Sequence, residues 1–198
     1  MTVGWAGAKV RLVPLDRARH LDNALTWLND PEVTAWTLVG DWPLGRLAEE
    51  AFFDGLLRQD PHAPPADIVF AVEALGGEHI GFTGLHRIDW RNGVALTGTV
   101  IGRRDLWGSG LGTDTVRVRS AYAFTVLGLR LLLSEVFADN RASLHMLART
   151  GYREVGRIPG RYFKGGSFRD VVLLAFARGE WHAGAEVSAS GLASDGPR

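Results

Sequence analysis

Three glycines, Gly108, Gly110 and Gly112, lie within the run WGSGLGT of this 198-residue chain, after a strand-like segment and before a long helical one. A helix N-terminus leaves its first backbone N–H groups without intrahelical partners and carries partial positive charge from the macrodipole. Glycines let an anion approach that backbone closely, so the arrangement suits a pyrophosphate. Arg103 and Arg104 upstream, and Arg117 and Arg119 inside the helix, are placed in sequence to serve outer phosphates. A glycine-rich corner with no ligand would show the same spacing. A second group of residues bears on proton transfer. Glu135 is the lone acid in the apolar run LLLSEVF, and a buried carboxylate is costly without a purpose. It reads equally as a base or as a strand-end glutamate paired with an arginine. His86, Asp89 and His145 are further titratable residues, read as surface groups.

The elements that must position these residues follow from periodicity. Residues 9–15 read as a strand, and Asp16 caps a helix with the stripe Ala18, Leu21, Ala24, Leu25 and Leu28. Asn29-Asp30-Pro31 ends it. A second amphipathic helix follows Pro43, with Leu44, Leu47, Ala48, Ala51, Phe52 and Leu56 on one face. From Asp67 the period changes to two, giving strands at 67–75, 79–89 and 94–102 as a meander turned at Gly76-Gly77 and Asn92-Gly93. After the glycine loop come a helix over 111–127, apolar on several faces and so buried between layers, a strand over 130–137, and a helix over 142–150 ended by Gly151. Two closing strands, 153–164 and 168–177, join at Gly165-Gly166. This order predicts one α/β domain, a single mixed, mostly antiparallel twisted sheet with helices on both faces, over 1–182. The Ala/Gly/Ser-rich segment 183–198 has no periodicity and is expected to be a flexible tail.

Composition narrows the function. The chain has no cysteine, which excludes disulfides, zinc-thiolate sites and cysteine nucleophiles. Basic and acidic residues balance at 22 each, so no net field favours nucleic acid. No apolar run is long enough for a membrane span, and MTVGWAGAKVR lacks the apolar core of a signal peptide. The expected protein is cytoplasmic, without a metal, and a monomer or homodimer.

Among phosphate motifs, a Walker A loop fails for want of a lysine before Thr113. A dinucleotide fingerprint fails on its G-x-G-x-G spacing and mid-chain position. The acyl-CoA loop remains. The stretch VIGRRDLWGSGLGTDTV, followed by EVFADNRASLHMLARTGY, resembles the GNAT N-acetyltransferases, and most of all the branch that acetylates ribosomal-protein N-termini (Rim-type). The resemblance rests on the glycine loop and on N-x-x-S-x-x-M ending in Gly-Tyr, from Asn140 to Tyr152; the Gly-Glu-Trp at 179–181 is a weaker shared feature.

That resemblance implies two strands that splay apart so that acetyl-CoA lies in the gap, using backbone hydrogen bonds a regular sheet would keep. Val100, Ile101 and Gly102 would pair with the pantetheine arm. Trp107, Gly108, Ser109, Gly110, Leu111, Gly112 and Thr113 would hold the pyrophosphate, and Asn140 would bond the pantetheine while also capping a helix. Gly98 would form the bulge that opens the splay. The N–H near Val100 would stabilise the oxyanion. Ser143 would serve the leaving thiolate, because the position where many members carry a tyrosine is Leu147. A strand glutamate that relatives often carry is Leu96 here, so Glu135 becomes the implied base. Trp36, Trp42, Trp90 and Tyr162 would line the acceptor site or simply pack. The activity implied is direct acetyl transfer to a primary amine, a protein N-terminus or a small molecule. The alternatives are an acyl-CoA-binding module without turnover and, less favoured, a nucleotide-binding oxidoreductase fragment.

Overall fold

Period-two alternation along the chain builds an eight-stranded sheet in the computed structural model, which describes residues 5–58, 60 and 62–181. The segment 183–198, expected to be a tail, lies outside the described residues. The strands are β1 (Trp5–Ala6), β2 (Val10–Pro14), β3 (Ile68–Ala74), β4 (His79–Asp89), β5 (Val94–Ile101), β6 (Leu131–Phe137), β7 (Arg153–Lys164) and β8 (Ser167–Ala177). Their order across the sheet is β1-β2-β3-β4-β5-β6-β8-β7, antiparallel throughout except for the parallel pair β5–β6. The helices are α1 (Arg17–Leu28), α2 (Pro31–Thr34), α3 (Arg46–Leu57), α4 (Leu111–Thr125) and α5 (Arg141–Ala148). The strand and helix order matches the sequence reading apart from β1 and α2, which that reading does not contain.

Alternate residues of each strand feed two cores. Val10, Leu12, Phe70 and Val72 pack with Val116, Val118 and Phe124 of α4 on one face; Val13, Leu15 and Ala71 pack with Leu21, Ala24 and Phe53 of α1 and α3 on the other. As its pattern predicts, α4 is buried around most of its circumference.

Two helix faces differ from expectation. In α1 the Asp16 cap forms, its carboxylate accepting from Arg19 N–H at 3.0 Å, but the buried stripe is His20, Leu21, Ala24 and Trp27, and Ala18 is exposed. In α3 most of the predicted stripe is the outer face: Leu47 is 82% exposed and Phe52 54%, while Glu49 and Phe53 turn inward and Leu56 packs against the same core as Phe53. The docking edge is Phe53 against Phe82, ring centroids 6.4 Å apart, and the burial this imposes raises the Glu49 carboxyl above its ordinary range. Asn29-Asp30-Pro31, the expected stop of α1, also opens a short helix, α2, that periodicity does not predict. Asp30 caps it, accepting from Glu32 N–H at 2.9 Å, with Pro31 at its first position.

A buried histidine pair sits between α1 and β4. His20 Nδ1 accepts from Asp16 N–H at 2.9 Å, and His79 lies between Gly81 O at 2.9 Å and Asn23 Nδ2 at 3.0 Å. The rings are 4.5 Å apart. Burial pushes both below the ordinary histidine value, His79 to about 4. Above pH 6.5 both are therefore neutral in the folded protein, and His79 stays neutral until the pH nears 4, while the unfolded chain takes up protons below about pH 6.5. Stability present above pH 6.5 is lost as pH falls towards 4. We expect His79 alone to remove about 2–3 kcal/mol of unfolding free energy between pH 7 and 4.5. Urea midpoints measured across that window report it, and a flat series would contradict it.

Candidate active site

The site begins where β5 and β6 part. They pair only from Val94↔Leu131 to Leu96↔Leu133. The last ties are Thr97 Oγ1 donating to Leu133 O at 2.9 Å and Ser134 Oγ facing Thr97 O at 3.5 Å. Beyond them β5 keeps β4 as far as Ile101, and β6 keeps β8 as far as Phe137, so each strand has one free backbone edge. Two adjoining cavities of about 680 and 500 Å³ occupy the opening and share Trp36, Thr99, Val100, Asn140 and Ser143.

The opening does not use a bulge at Gly98. That residue pairs in register with Gly84, and the register break falls further down the pair, where Arg87 and Ile88 oppose Ala95 and Arg87 takes φ +49°. Strand alternation also revises the predicted role of the Val100 N–H. Val100 pairs with Phe82, and its carbonyl approaches Gly81 so closely that a Cβ there would lie 2.1 Å away. Its main-chain groups therefore face β4. Thr97 O faces Ser134, and Ile101 O accepts from the Trp107 indole at 2.7 Å, so the main-chain groups of Thr97, Thr99 and Ile101 point into the gap. Val100 nevertheless borders both cavities.

The larger cavity runs outward to the glycine loop. Gly108 (φ +78°) and Gly110 (φ +86°) are left-handed, a conformation L side chains rarely adopt. Gly110 is the N-cap of α4 and provides no side-chain cap. Ile101, Trp107, Gly108, Gly110, Leu111, Gly112 and Thr113 all border this cavity, as do Asn140 and Ser143 at its inner end. Two predicted residues do not. Gly102 packs against Trp27, whose ring atoms would lie 1.9 Å from a Cβ, and Ser109 turns away, its carbonyl accepting from Lys9 Nζ at 2.7 Å.

The predicted phosphate arginines are engaged elsewhere. Arg103 pairs with Asp105 and Glu78, and Arg104 with Asp30 and Glu32. Arg117 is exposed, and Arg119 is buried in the core. The cations that do border the cavity are Arg141 and Arg149, both on or next to α5. Sequence reading missed them because their proximity to the loop is purely tertiary.

Asp114 is a positioning residue that sequence reading also missed. Its carboxylate accepts from the N–H groups of Lys9 (2.7 Å), Val10 (3.0 Å) and Ala8 (3.3 Å), fixing the start of β2 against the first turn of α4. Removing it leaves the buried Val10 N–H and the more exposed Lys9 and Ala8 N–H groups without this acceptor, and hydrogen bonds to a charged group contribute about 1.5–3 kcal/mol each. Asp114→Ala is expected to lower unfolding free energy by about 3 kcal/mol in urea titration; a loss below about 1 kcal/mol would contradict this account.

The smaller cavity holds the proton-transfer candidates. Glu135 borders it, accepts from the Tyr162 hydroxyl at 2.7 Å and lies 3.5 Å from Arg161. Burial and the adjacent carboxylate raise the Tyr162 phenol, which keeps it a donor at neutral pH. His86 lies at the same cavity with Nδ1 3.1 Å from Asp67 Oδ1. Leu96 and Leu147 also border it. Ser143 N–H donates to Asn140 Oδ1 at 3.1 Å, so Asn140 caps α5 through its oxygen. Asp89 and His145 separate: Asp89 accepts from Asn92 in a turn, held below the ordinary carboxylate range by those bonds, and His145 borders the outer cavity.

The roof of the inner cavity is the loop after α2. Arg169 donates to Ala35 O at 2.9 Å and stacks over Trp36 and Phe137, while Lys164 donates to Val39 O at 2.7 Å and pairs with Asp41 at 2.8 Å. Of the predicted acceptor aromatics, Trp36 borders the cavities, Tyr162 reaches them through Glu135, and Trp42 is 75% exposed. Trp90 instead packs against the α4-side core and donates to Pro65 O at 2.8 Å.

A sheet opened between two strands, with a glycine loop capping the helix beside the opening, defines a class of group-transfer enzymes. The family model of the GNAT acetyltransferase domain matches residues 9–153, and the chain belongs to that family. Among solved structures it is similar to the spermidine N-acetyltransferase of Vibrio cholerae in complex with CoA and spermine, at 19% identity and TM-score 0.79, covering 88% of this chain and 98% of that one. A chimera of that enzyme with hSSAT matches at 19% identity and TM-score 0.76, over 87% and 97% of the two chains. A further structure, described only as an acetyltransferase, matches at 26% identity and TM-score 0.71, over 91% and 90%. Among the described residues no helix is long and apolar enough to cross a membrane, and no cluster of three or more His, Asp or Glu could hold a metal ion.

Proposed function

We propose that the chain transfers the acetyl group of acetyl-CoA directly to a primary amine. The observation that carries this reading is the separation of β5 and β6 after Leu96 and Leu133, continuous with a cavity that ends at the uncapped N-terminus of α4. The pyrophosphate is held by the N–H groups of the glycine loop and first turn. The pantetheine arm lies along the free edge of β5 at Thr99 and Ile101, with Asn140 opposite. The arm takes the place of the Trp107 indole, which donates to the Ile101 carbonyl in its absence.

In the reaction the amine lone pair attacks the thioester carbonyl and forms the C–N bond, and the carbonyl electrons move onto oxygen. Main-chain N–H groups on the gap side of β5 stabilise that oxyanion. As the C–S bond breaks, the thiolate leaves next to Ser143. The proton lost from nitrogen passes to Glu135, whose orientation Tyr162 and Arg161 fix. An alkylamine of pKa about 10.4 is only about 0.05% free at pH 7, against more than about 10% for an α-amine near 7.8, so a base matters most for alkylamines.

The acceptor is a small-molecule amine or a protein N-terminus. The Vibrio cholerae neighbours, which act on spermidine, support the former; the Glu135 position and the Asn140–Tyr152 block, which resemble Rim-type enzymes, support the latter. An acyl-CoA-binding module without turnover is favoured by two features, the buried Leu147 in the place of a thiolate-protonating tyrosine and Leu96 in the place of a strand glutamate. Release of free thiol on mixing the protein with acetyl-CoA and an amine panel tests the assignment. Turnover with at least one amine is expected. Tight coenzyme binding with no thiol release from any amine would establish the binding module instead.

A further inference from the structure

Arg119 lies in the middle of α4 and is 1% exposed. Its Nη1 donates to Gly98 O at 2.9 Å, Thr99 Oγ1 at 2.8 Å and Thr83 Oγ1 at 3.1 Å, and its Nη2 donates to the Tyr152 hydroxyl at 3.1 Å. Tyr152 and Thr97 are themselves 3.2 Å apart through their hydroxyls. Every acceptor is a neutral oxygen, and Nε has no partner. An arginine stays charged at any physiological pH, and burying an unpaired charge is normally avoided. Here the charge sits where β5 loses β6, and it borders the smaller cavity.

The other charged groups around this position are already engaged. Asp114, on the same helix, is held by the N–H groups of residues 8–10. At the cavity, Glu135 on β6 faces Tyr162 and Arg161, and Asp67 faces His86 on β4. Arg87 adds a second positive charge on β4, and His145 on α5 borders only the outer cavity. A bound polyamine would thus meet a fixed cation at the cavity floor and carboxylates with partners of their own.

We infer that Arg119 is a positioning and specificity-determining residue: it holds β5 at Gly98 O and Thr99 Oγ1, where β6 has parted from it, and its uncompensated charge favours the neutral amine over the ammonium, selecting weakly basic, singly charged amines over polyamines. This rests on the acetyl-transfer reading and narrows its acceptor. A like charge nearby lowers the pKa of a bound ammonium, and the acid limb of kcat reports groups in the ternary complex.

The test is the pH profile of kcat at saturating acetyl-CoA and alanyl dipeptide amide for the wild type, Arg119→Met and Arg119→Lys, with coenzyme A affinity measured by calorimetry in each. In Arg119→Met the acid limb is expected to move up by about one pH unit, a tenfold loss of rate on that limb, with coenzyme affinity within threefold of wild type. Arg119→Lys, which keeps the charge, is expected to restore the limb. A purely structural role would lower kcat or coenzyme affinity without moving the limb. An unmoved limb in a folded Arg119→Met with normal coenzyme affinity would overturn the inference. So would wild-type enzyme whose kcat/KM for spermidine equals or exceeds that for the dipeptide amide, a comparison that needs no variant. Absence of coenzyme A binding by the wild type would instead count against the acetyl-transfer reading itself.

Discussion

Gly110→Val is expected to weaken coenzyme A binding about 30- to 100-fold, which is about 2–2.7 kcal/mol. Gly110 caps α4 at φ +86°, where a β-branched residue costs about 1–2 kcal/mol or forces the loop into another path. A Cβ there would also lie 3.2 Å from Lys9 Nζ, the amine that ties the loop to residue 9 through Ser109 O. Both effects move the N–H groups that the diphosphate must reach. Calorimetric titration with coenzyme A measures the loss, and a melting curve confirms that the variant is folded at the assay temperature. An unchanged dissociation constant in a folded variant would mean that the diphosphate is not held at this loop.

Glu135→Gln is expected to lower kcat about 100-fold at pH 7 with acetyl-CoA affinity unchanged, the range in which positioned general bases act. Glutamine keeps the size and can still accept from Tyr162, so packing is spared and only the basic oxygen is lost. The deficit should be deepest at low pH and narrow as the pH approaches the pKa of the acceptor, where free amine no longer needs a base. Wild-type rates across the range would remove Glu135 from the chemistry. The Asp67–His86 pair, on the same cavity, would then be the base to examine.

What could be read from the sequence follows a physical divide. Strand positions came from period-two runs, and the limits of β4 and β7 coincide with the expected residues because glycine turns bound them on one side. The glycine loop was legible because its function depends on residue type: only glycine sits comfortably at the φ of Gly108 and Gly110. The orientation of α3 was not legible. Leu47, Ala48, Ala51 and Phe52 make the more apolar face, yet the helix docks through Phe53 and buries the Glu49 carboxyl. Hydrophobic periodicity reports the average face and is silent on which aromatic finds a partner across the sheet.

The same limit explains the misplaced cations. In sequence Arg119 is two residues from Arg117 and seven from Gly112, so it reads as a phosphate ligand. On a helix those two residues of separation turn the side chain about 200°, from the solvent face to the sheet. Gly102 and Ser109 enter the expected site through the family resemblance alone, but here Gly102 packs on Trp27, the Ser109 carbonyl accepts from Lys9, and neither borders the cavity. Asp114 and Asp67 gave no signal at all, because their partners are distant in the chain.

The claim on which the rest depends is that the gap between β5 and β6, closed at its outer end by the glycine loop, is a coenzyme site. A crystal structure of the protein with coenzyme A tests it most directly. The account predicts the diphosphate on the main-chain N–H groups of residues 110–113, and the pantetheine arm between Thr99–Ile101 and Asn140, with the Trp107 indole displaced from the Ile101 carbonyl. Coenzyme bound on another surface, with β5 and β6 still enclosing only solvent, would contradict it.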